Sequence, residues 1–124
     1  MDTNSLKYTQ DHEWIRVEED FAYVGITDFA QGELGDIVFV ELPNLDEEFS
    51  QNDIFGTIEA VKTLADLFIP ISGKIVAVNE DLEGQPELIN TSPYEDGWIV
   101  KIEVTNKEDL ECLMNNNSYK ELIS

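Results

Sequence analysis

The sequence predicts a mostly β fold with short helices, some at its C-terminal end, and one repeated motif leaves open a flattened barrel-like sandwich of two half-sheets. Three observations lead there. Runs rich in Val, Ile, Phe and Tyr recur through the first hundred residues, broken by glycine, proline or acidic turns. A short motif repeats: Gly35-Asp36-Ile37-Val38-Phe39-Val40 matches Gly73-Lys74-Ile75-Val76-Ala77-Val78 at four of six positions. Capping-box spacing occurs at Thr105–Glu108 and again at Ser118–Glu121, near the end of the chain.

The elements follow in order. Trp14–Val17 and Phe21–Ile26 flank the acidic turn Glu18-Glu19-Asp20 and read as a hairpin. Thr27 or Asp28 caps a short helix through Leu34, and Gly35 suits its exit. Ile37–Leu42 is a continuous strand stopped by Pro43-Asn44, and Leu45–Asp53 is an exposed acidic connection. Ile54–Ile69 is extended with an interruption near its middle. After Pro70 and Gly73 comes the strand Lys74–Val78. Asn79–Glu95, holding Gly84, Pro86 and Pro93, reads as loop with a helical turn near Pro86–Ile89. Gly97 opens a last strand, Trp98–Val104. Thr105–Glu108 and Ser118–Glu121 have capping-box spacing, so two short C-terminal helices are expected. The repeat has two readings. It is either two ordinary strands built from common strand residues, or two related half-sheets facing each other with Lys62 between them in the chain.

At 124 residues the chain fits one domain, 1–124, large enough to bury about two-thirds of its unfolded surface. Its 27 acidic residues against 7 basic ones give a formal charge of −20. That field repels nucleic acid and anionic lipid, and it suits either basic docking partners or a merely solvated surface. Cys112 is the only cysteine, so no internal disulfide forms. Apolar runs such as Ile37–Val40 are far too short to span a bilayer. Residues 1–5 show no signal- or transit-peptide character, so a cytoplasmic location is expected.

Lys62 is the one basic residue between Arg16 and Lys74, an interval holding thirteen carboxylates. Glu59 and Asp66 flank it in Glu59-Ala60-Val61-Lys62-Thr63-Leu64-Ala65-Asp66. Three roles are conceivable. An ordinary cross-strand ion pair is one. A Schiff-base amine is disfavoured, because carboxylates stabilise the ammonium and that chemistry needs the neutral amine. The third is a lysine presented to a modifying enzyme that supplies an activated acyl group. Chemistry alone leaves the first and third open.

A set of ordered motifs bears on the choice. Tyr8-Thr9, His12-Glu13-Trp14, Val24-Gly25-Ile26-Thr27, Ala30-Gln31, Leu34 through Pro43 and Glu59-Ala60-Val61-Lys62 come first. Pro70-Ile71-Ser72-Gly73, Val78-Asn79, Pro86 through Asn90, Pro93-Tyr94 and Gly97-Trp98 follow. Over nearly its whole length the chain resembles the H proteins of glycine cleavage systems. The resemblance implies a lipoyl-domain-like fold, with a lipoyl-binding core at about 23–104 and a C-terminal helical segment at about 105–124. It implies lipoate in amide linkage on Lys62, Glu59 as a flanking recognition residue, and Glu13 and Asp66 beside a cleft where the arm docks. The implied partners of this monomeric, non-catalytic carrier are a pyridoxal-phosphate glycine decarboxylase, a tetrahydrofolate-dependent aminomethyltransferase, dihydrolipoyl dehydrogenase and a lipoate ligase or lipoyltransferase. The carrier would pass an aminomethyl group between the first two and electrons to the third.

The chain departs from the family in places. Ala60 stands where serine is usual, Leu64-Ala65-Asp66 where Ala-Ser-Asp is common, and Asn44-Leu45-Asp46 where the loop usually has a glycine. Glu33 occupies a position that in some members is a histidine near the cleft. Val61-Lys62 also lacks the chemistry of a primed hairpin turn, so an exposed turn there follows from the resemblance alone.

Rival carriers fit less well. Lipoyl domains of 2-oxo acid dehydrogenases usually show Asp-Lys-Ala and biotin carriers Met-Lys-Met, against Val61-Lys62-Thr63 here. An H-like protein relaying lipoate to other lipoyl-dependent complexes would keep every motif quoted. His12 is the sole histidine, which leaves little for a zinc site or a catalytic triad. No nucleotide-binding glycine motif or EF-hand spacing occurs.

Overall fold

The computed structural model describes residues 6–123. The hairpin foreseen around the acidic turn forms from β2 (Glu13–Glu18) and β3 (Phe21–Ile26), with Glu18 opposite Phe21 and Trp14 opposite Gly25. Glu19 takes a φ of 59°, which lets two residues reverse the chain. On one side β2 pairs with the short β1 (Lys7–Tyr8). On the other, β3 pairs with the late strand that ends at Val104.

Between them in sequence lie α1 (Asp28–Leu34), β4 (Ile37–Glu41), β5 (Glu48–Phe49), β6 (Ile54–Ala60), β7 (Leu64–Phe68), β8 (Gly73–Val78), α2 (Asp81–Gly84) and α3 (Leu88–Thr91). Then come β9 (Val100–Val104), a 3₁₀ turn at Lys107–Cys112 and α4 (Asn116–Ile123). One sheet has six strands in the order β1-β2-β3-β9-β8-β5, and the other has three, β4-β6-β7. The two half-sheets are thus unequal, and neither closes into a barrel. Between them Ile15, Val24, Ile75 and Ile102 of the larger sheet join Val40, Ile58 and Leu67 of the smaller in one core. Ile58 is fully buried, opposite Val40 and Ala65. Burial of such a side chain stabilises the fold by about 1.5–3 kcal/mol.

Several expectations shift. The span Leu45–Asp53 is not all exposed connection, because Glu48 and Phe49 pair with Lys74 and Gly73 as an edge strand. The last strand starts at Val100 rather than Trp98, because the Asn79 amide donates to the carbonyls of Asp96 and Trp98 and diverts that backbone. Thr27 is the cap of α1: its hydroxyl accepts from the Ala30 N–H at 3.2 Å. The box at Thr105 is displaced by one, with Asn106 capping the 3₁₀ turn. Ser118 lies inside α4, where Asn115 accepts from its N–H at 2.8 Å. The repeated motif falls in β4 and β8, in different sheets, but its glycines serve different ends. Gly35 has a φ of 80°, whereas a side chain on Gly73 would run into the Glu103 carbonyl at 2.6 Å. Among the described residues no helix is long and apolar enough to cross a membrane.

A second, smaller cluster gathers Leu6, Tyr8, Trp14 and Tyr119. Trp14 is wholly buried and its indole N–H donates to the Pro93 carbonyl at 2.9 Å. Gly25 lies under the indole, where a Cβ would come within 2.7 Å of three ring atoms. A ring pinned by burial and a hydrogen bond cannot retreat cheaply. Gly25→Ala is therefore expected to cost about 3 kcal/mol, near the upper end for overpacking. Its urea midpoint should fall accordingly, and an unchanged midpoint would mean that the indole has room to move.

Candidate functional site

Lys62 sits at the tip of the β6–β7 hairpin, on the two-residue loop Val61-Lys62 closed by the Ala60 N–H donating to Thr63 O at 2.8 Å. Neither loop residue has a positive φ, so this is not a primed turn. The Val61 N–H instead donates to the Asp36 carbonyl at 3.0 Å, tying the tip to the segment before β4. Lys62 is exposed, and its Cε passes 3.4 Å from where a Cβ on Gly35 would stand. Asn90 braces that floor: its amide donates to Gly35 O at 2.8 Å and its oxygen accepts from the Ile37 N–H at 3.0 Å.

Beside the hairpin opens a cleft of about 180 Å³ between β2, α1 and β7. Its walls include Ile26, Ala30, Leu34, Ile58 and Leu67, and its polar groups are Asp11, His12, Glu13, Glu33 and Asp66. The structure thus brings Glu13, Asp66 and Glu33 together. Glu59 is elsewhere, exposed on the outer face of the small sheet between Phe39 and Leu64.

Glu13 is a buried carboxyl, not a surface one. It is 2% exposed and bridges the two sheets. The Phe68 N–H of edge strand β7 donates to one carboxyl oxygen at 2.8 Å, and the Thr9 hydroxyl to the other at 3.2 Å. Burial pushes the carboxyl up to about 8, with the Asp11 charge adding to the rise and these two hydrogen bonds opposing it. Near neutral pH the group is largely protonated.

A raised folded pKa means that the fold favours the protonated form. Glu13 therefore stabilises most below its unfolded pKa, near 4.5, and that contribution fades as pH rises to about 8. Glu13→Gln keeps an acceptor for Phe68 and cannot ionise. Its stability should match wild type at pH 4 and exceed it by on the order of 4 kcal/mol by pH 8. Urea titrations across that window check this; a constant difference would refute the burial argument.

Sequence reasoning missed the residues that hold His12. Its φ of 68° turns the chain between Thr9 and Glu13. The Tyr119 hydroxyl lies 2.9 Å from His12 Nδ1 and 2.7 Å from Thr27 Oγ1, while its ring stacks on Tyr8 at 4.6 Å. A lone histidine beside Glu13 was the only sequence hint.

An exposed lysine on a hairpin tip, next to a half-apolar cleft in a two-sheet sandwich, defines a lipoyl-domain-like carrier. The crystal structure of a glycine cleavage system H protein from Mycobacterium marinum is similar to this chain with a TM-score of 0.87 and 36% identity, over 95% of each chain. A glycine cleavage system H protein of Staphylococcus epidermidis is 53% identical over 120 residues, which is 97% of this chain and 95% of that protein. The family described as glycine cleavage H-protein matches residues 6–124. The chain belongs to the glycine cleavage H-protein family.

Proposed function

We propose that this carrier of the glycine cleavage system holds lipoate on Lys62 and does no chemistry of its own. The observation behind the assignment is the exposed lysine on a short, braced hairpin tip beside the cleft. The cleft suits the group: Ile26, Ala30, Leu34 and Ile58 offer apolar wall to an alkyl arm, and Glu13 and Asp66 offer acceptors to an amine. When bound, lipoate supplies the disulfide that takes up an aminomethyl group and two electrons. The protein's residues present the arm, shelter its end and display Glu59 beside the attachment point.

In this reading glycine decarboxylase loads the arm, aminomethyltransferase unloads it, and dihydrolipoyl dehydrogenase reoxidises it. Residues 1–124 act as one cytoplasmic, monomeric carrier domain. Its lipoyl-binding core spans about 23–104, and in the segment 105–124 Tyr119 hydrogen-bonds His12 of the cleft wall. The test is mass spectrometry of protein from its own source, with the lipoyl group mapped by peptide digestion. That protein is then given glycine and the decarboxylase. Lipoyl on Lys62 followed by gain of an aminomethyl mass supports the carrier cycle. A lipoylated chain that never gains that mass would point instead to a relay of lipoate to other complexes.

A further inference from the structure

The outer face of the small sheet carries an apolar patch that no fold contact explains. Strand register puts Phe39, Glu59 and Leu64 in one cross-strand row, and Glu41, Thr57 and Asp66 in the next row on the same face. Phe39 is 52% exposed and Leu64 65%. Val38, displaced by the bulge in β4, is 49% exposed, and Val61 at the tip is 76% exposed. Val61 adjoins Lys62 in the loop, Leu64 opens the strand after it, Val38 and Phe39 lie on β4 of the same sheet, and Glu41 and Glu59 stand exposed beside them. Single exposed apolar residues are ordinary, but a cluster rimmed by like charge marks a contact surface.

We infer that this patch is the docking surface for the enzyme that attaches lipoate, which meets it with an apolar centre and a basic rim. The inference rests on Lys62 being the lipoyl site. Charge dictates the rim: a chain of net charge −20, with carboxylates between the apolar residues, repels an acidic face and draws a basic one. Reach dictates which enzyme. In attachment the Lys62 amine attacks the carbonyl of a lipoyl-adenylate. A C–N bond forms, the C–O bond to phosphate breaks, AMP leaves and the amine loses a proton. The new bond forms about 6 Å from the Lys62 Cα by standard bond lengths, so the attaching enzyme must touch the surface around it. Enzymes acting on the far end of the lipoylated arm work roughly 14 Å away and can bypass the patch.

The test compares unmodified wild-type protein with Phe39→Ser/Leu64→Ser, using a lipoate ligase, lipoate and ATP, and follows mass gain across protein concentrations. Both side chains are half exposed or more, so the double variant should keep its melting temperature. Its kcat/KM should fall about tenfold or more, as for loss of a buried interface anchor, through a raised KM with kcat retained at saturation. Leu45→Ser, exposed but outside the patch, should behave as wild type. Added salt should lower kcat/KM of the wild type. A double variant modified at the wild-type kcat/KM, an equal loss in Leu45→Ser, or indifference to salt overturns the docking surface and leaves Lys62 as the lipoyl site. A wild-type chain that gains no mass on Lys62 overturns the site itself, and the docking surface with it.

Discussion

Lys62→Arg protein incubated with lipoate, ATP and a lipoate ligase should gain no lipoyl mass, whereas wild type gains one. Arginine keeps the positive charge and much of the length, but its guanidinium does not deprotonate and is no nucleophile. The residue is exposed, so the fold should be unchanged to within about 0.5 kcal/mol. The loss would therefore be one of chemistry alone. The other described lysines lie within regular elements: Lys7, Lys74 and Lys101 in strands, Lys107 in the 3₁₀ turn and Lys120 in α4. None stands on a hairpin tip, so none can be presented in the same way. Lipoyl mass on the arginine variant would show that the attachment site is wrong.

The second large effect concerns cargo. The Glu13→Ala/Asp66→Ala variant, once lipoylated and loaded with an aminomethyl group, should lose that group faster than wild type by one to two orders of magnitude. Charge-assisted hydrogen bonds to the amine are worth about 1.5–3 kcal/mol, which is the preference that would hold the proposed arm in the cleft. Glu13 adds a dependence on pH. With its carboxyl up at about 8, it must give up its proton to receive an ammonium group as an anion. Each pH unit below 8 then costs docking about 1.4 kcal/mol. The ratio of variant to wild-type release should therefore rise from pH 6 to pH 8 and level off above. Because Glu13→Ala also strips Phe68 of its acceptor, Glu13→Gln/Asp66→Asn serves as the conservative pair and should release as fast. Ammonia and formaldehyde are the readouts. Equal release at every pH would end the docking argument without touching the lysine.

How much of this was readable beforehand depends on the distance between partners. The β2–β3 hairpin and α1 rest on neighbours in sequence, an acidic turn and a threonine cap, and both were visible. So was Lys62, alone in its acidic stretch and set in a family motif. Two-residue strands such as β1 and β5 carry no periodicity; they exist because Trp14 and Ile15 of β2, and Gly73 and Lys74 of β8, lie alongside. The start of β9 was misjudged because the Asn79 side chain, about twenty residues earlier, takes the carbonyls a longer strand would use. The charge state of Glu13 could not be read from the sequence for a related reason. A carboxyl's charge state depends on its burial, and that burial is set by β7, more than fifty residues away. Phe39, Glu59 and Leu64 become one row only when the register of three strands is known.

The Tyr119 contacts bear on the order in which the protein acquires its properties during synthesis. The β6–β7 hairpin is contiguous, from Ile54 to Phe68, and leaves the ribosome well before α4. His12 and Thr27, made early, gain their third partner only when Tyr119 arrives. The hairpin that bears Lys62 is thus made before the ring that steadies His12. A chain interrupted before Asn116 would offer Lys62 on a formed tip yet lack the ring that steadies His12 beside Glu13. On the proposal that Lys62 carries lipoate, such a fragment is expected to accept the group and to keep cargo poorly. On that proposal, modification draws on residues made before Asn116, and keeping cargo draws on Tyr119 as well.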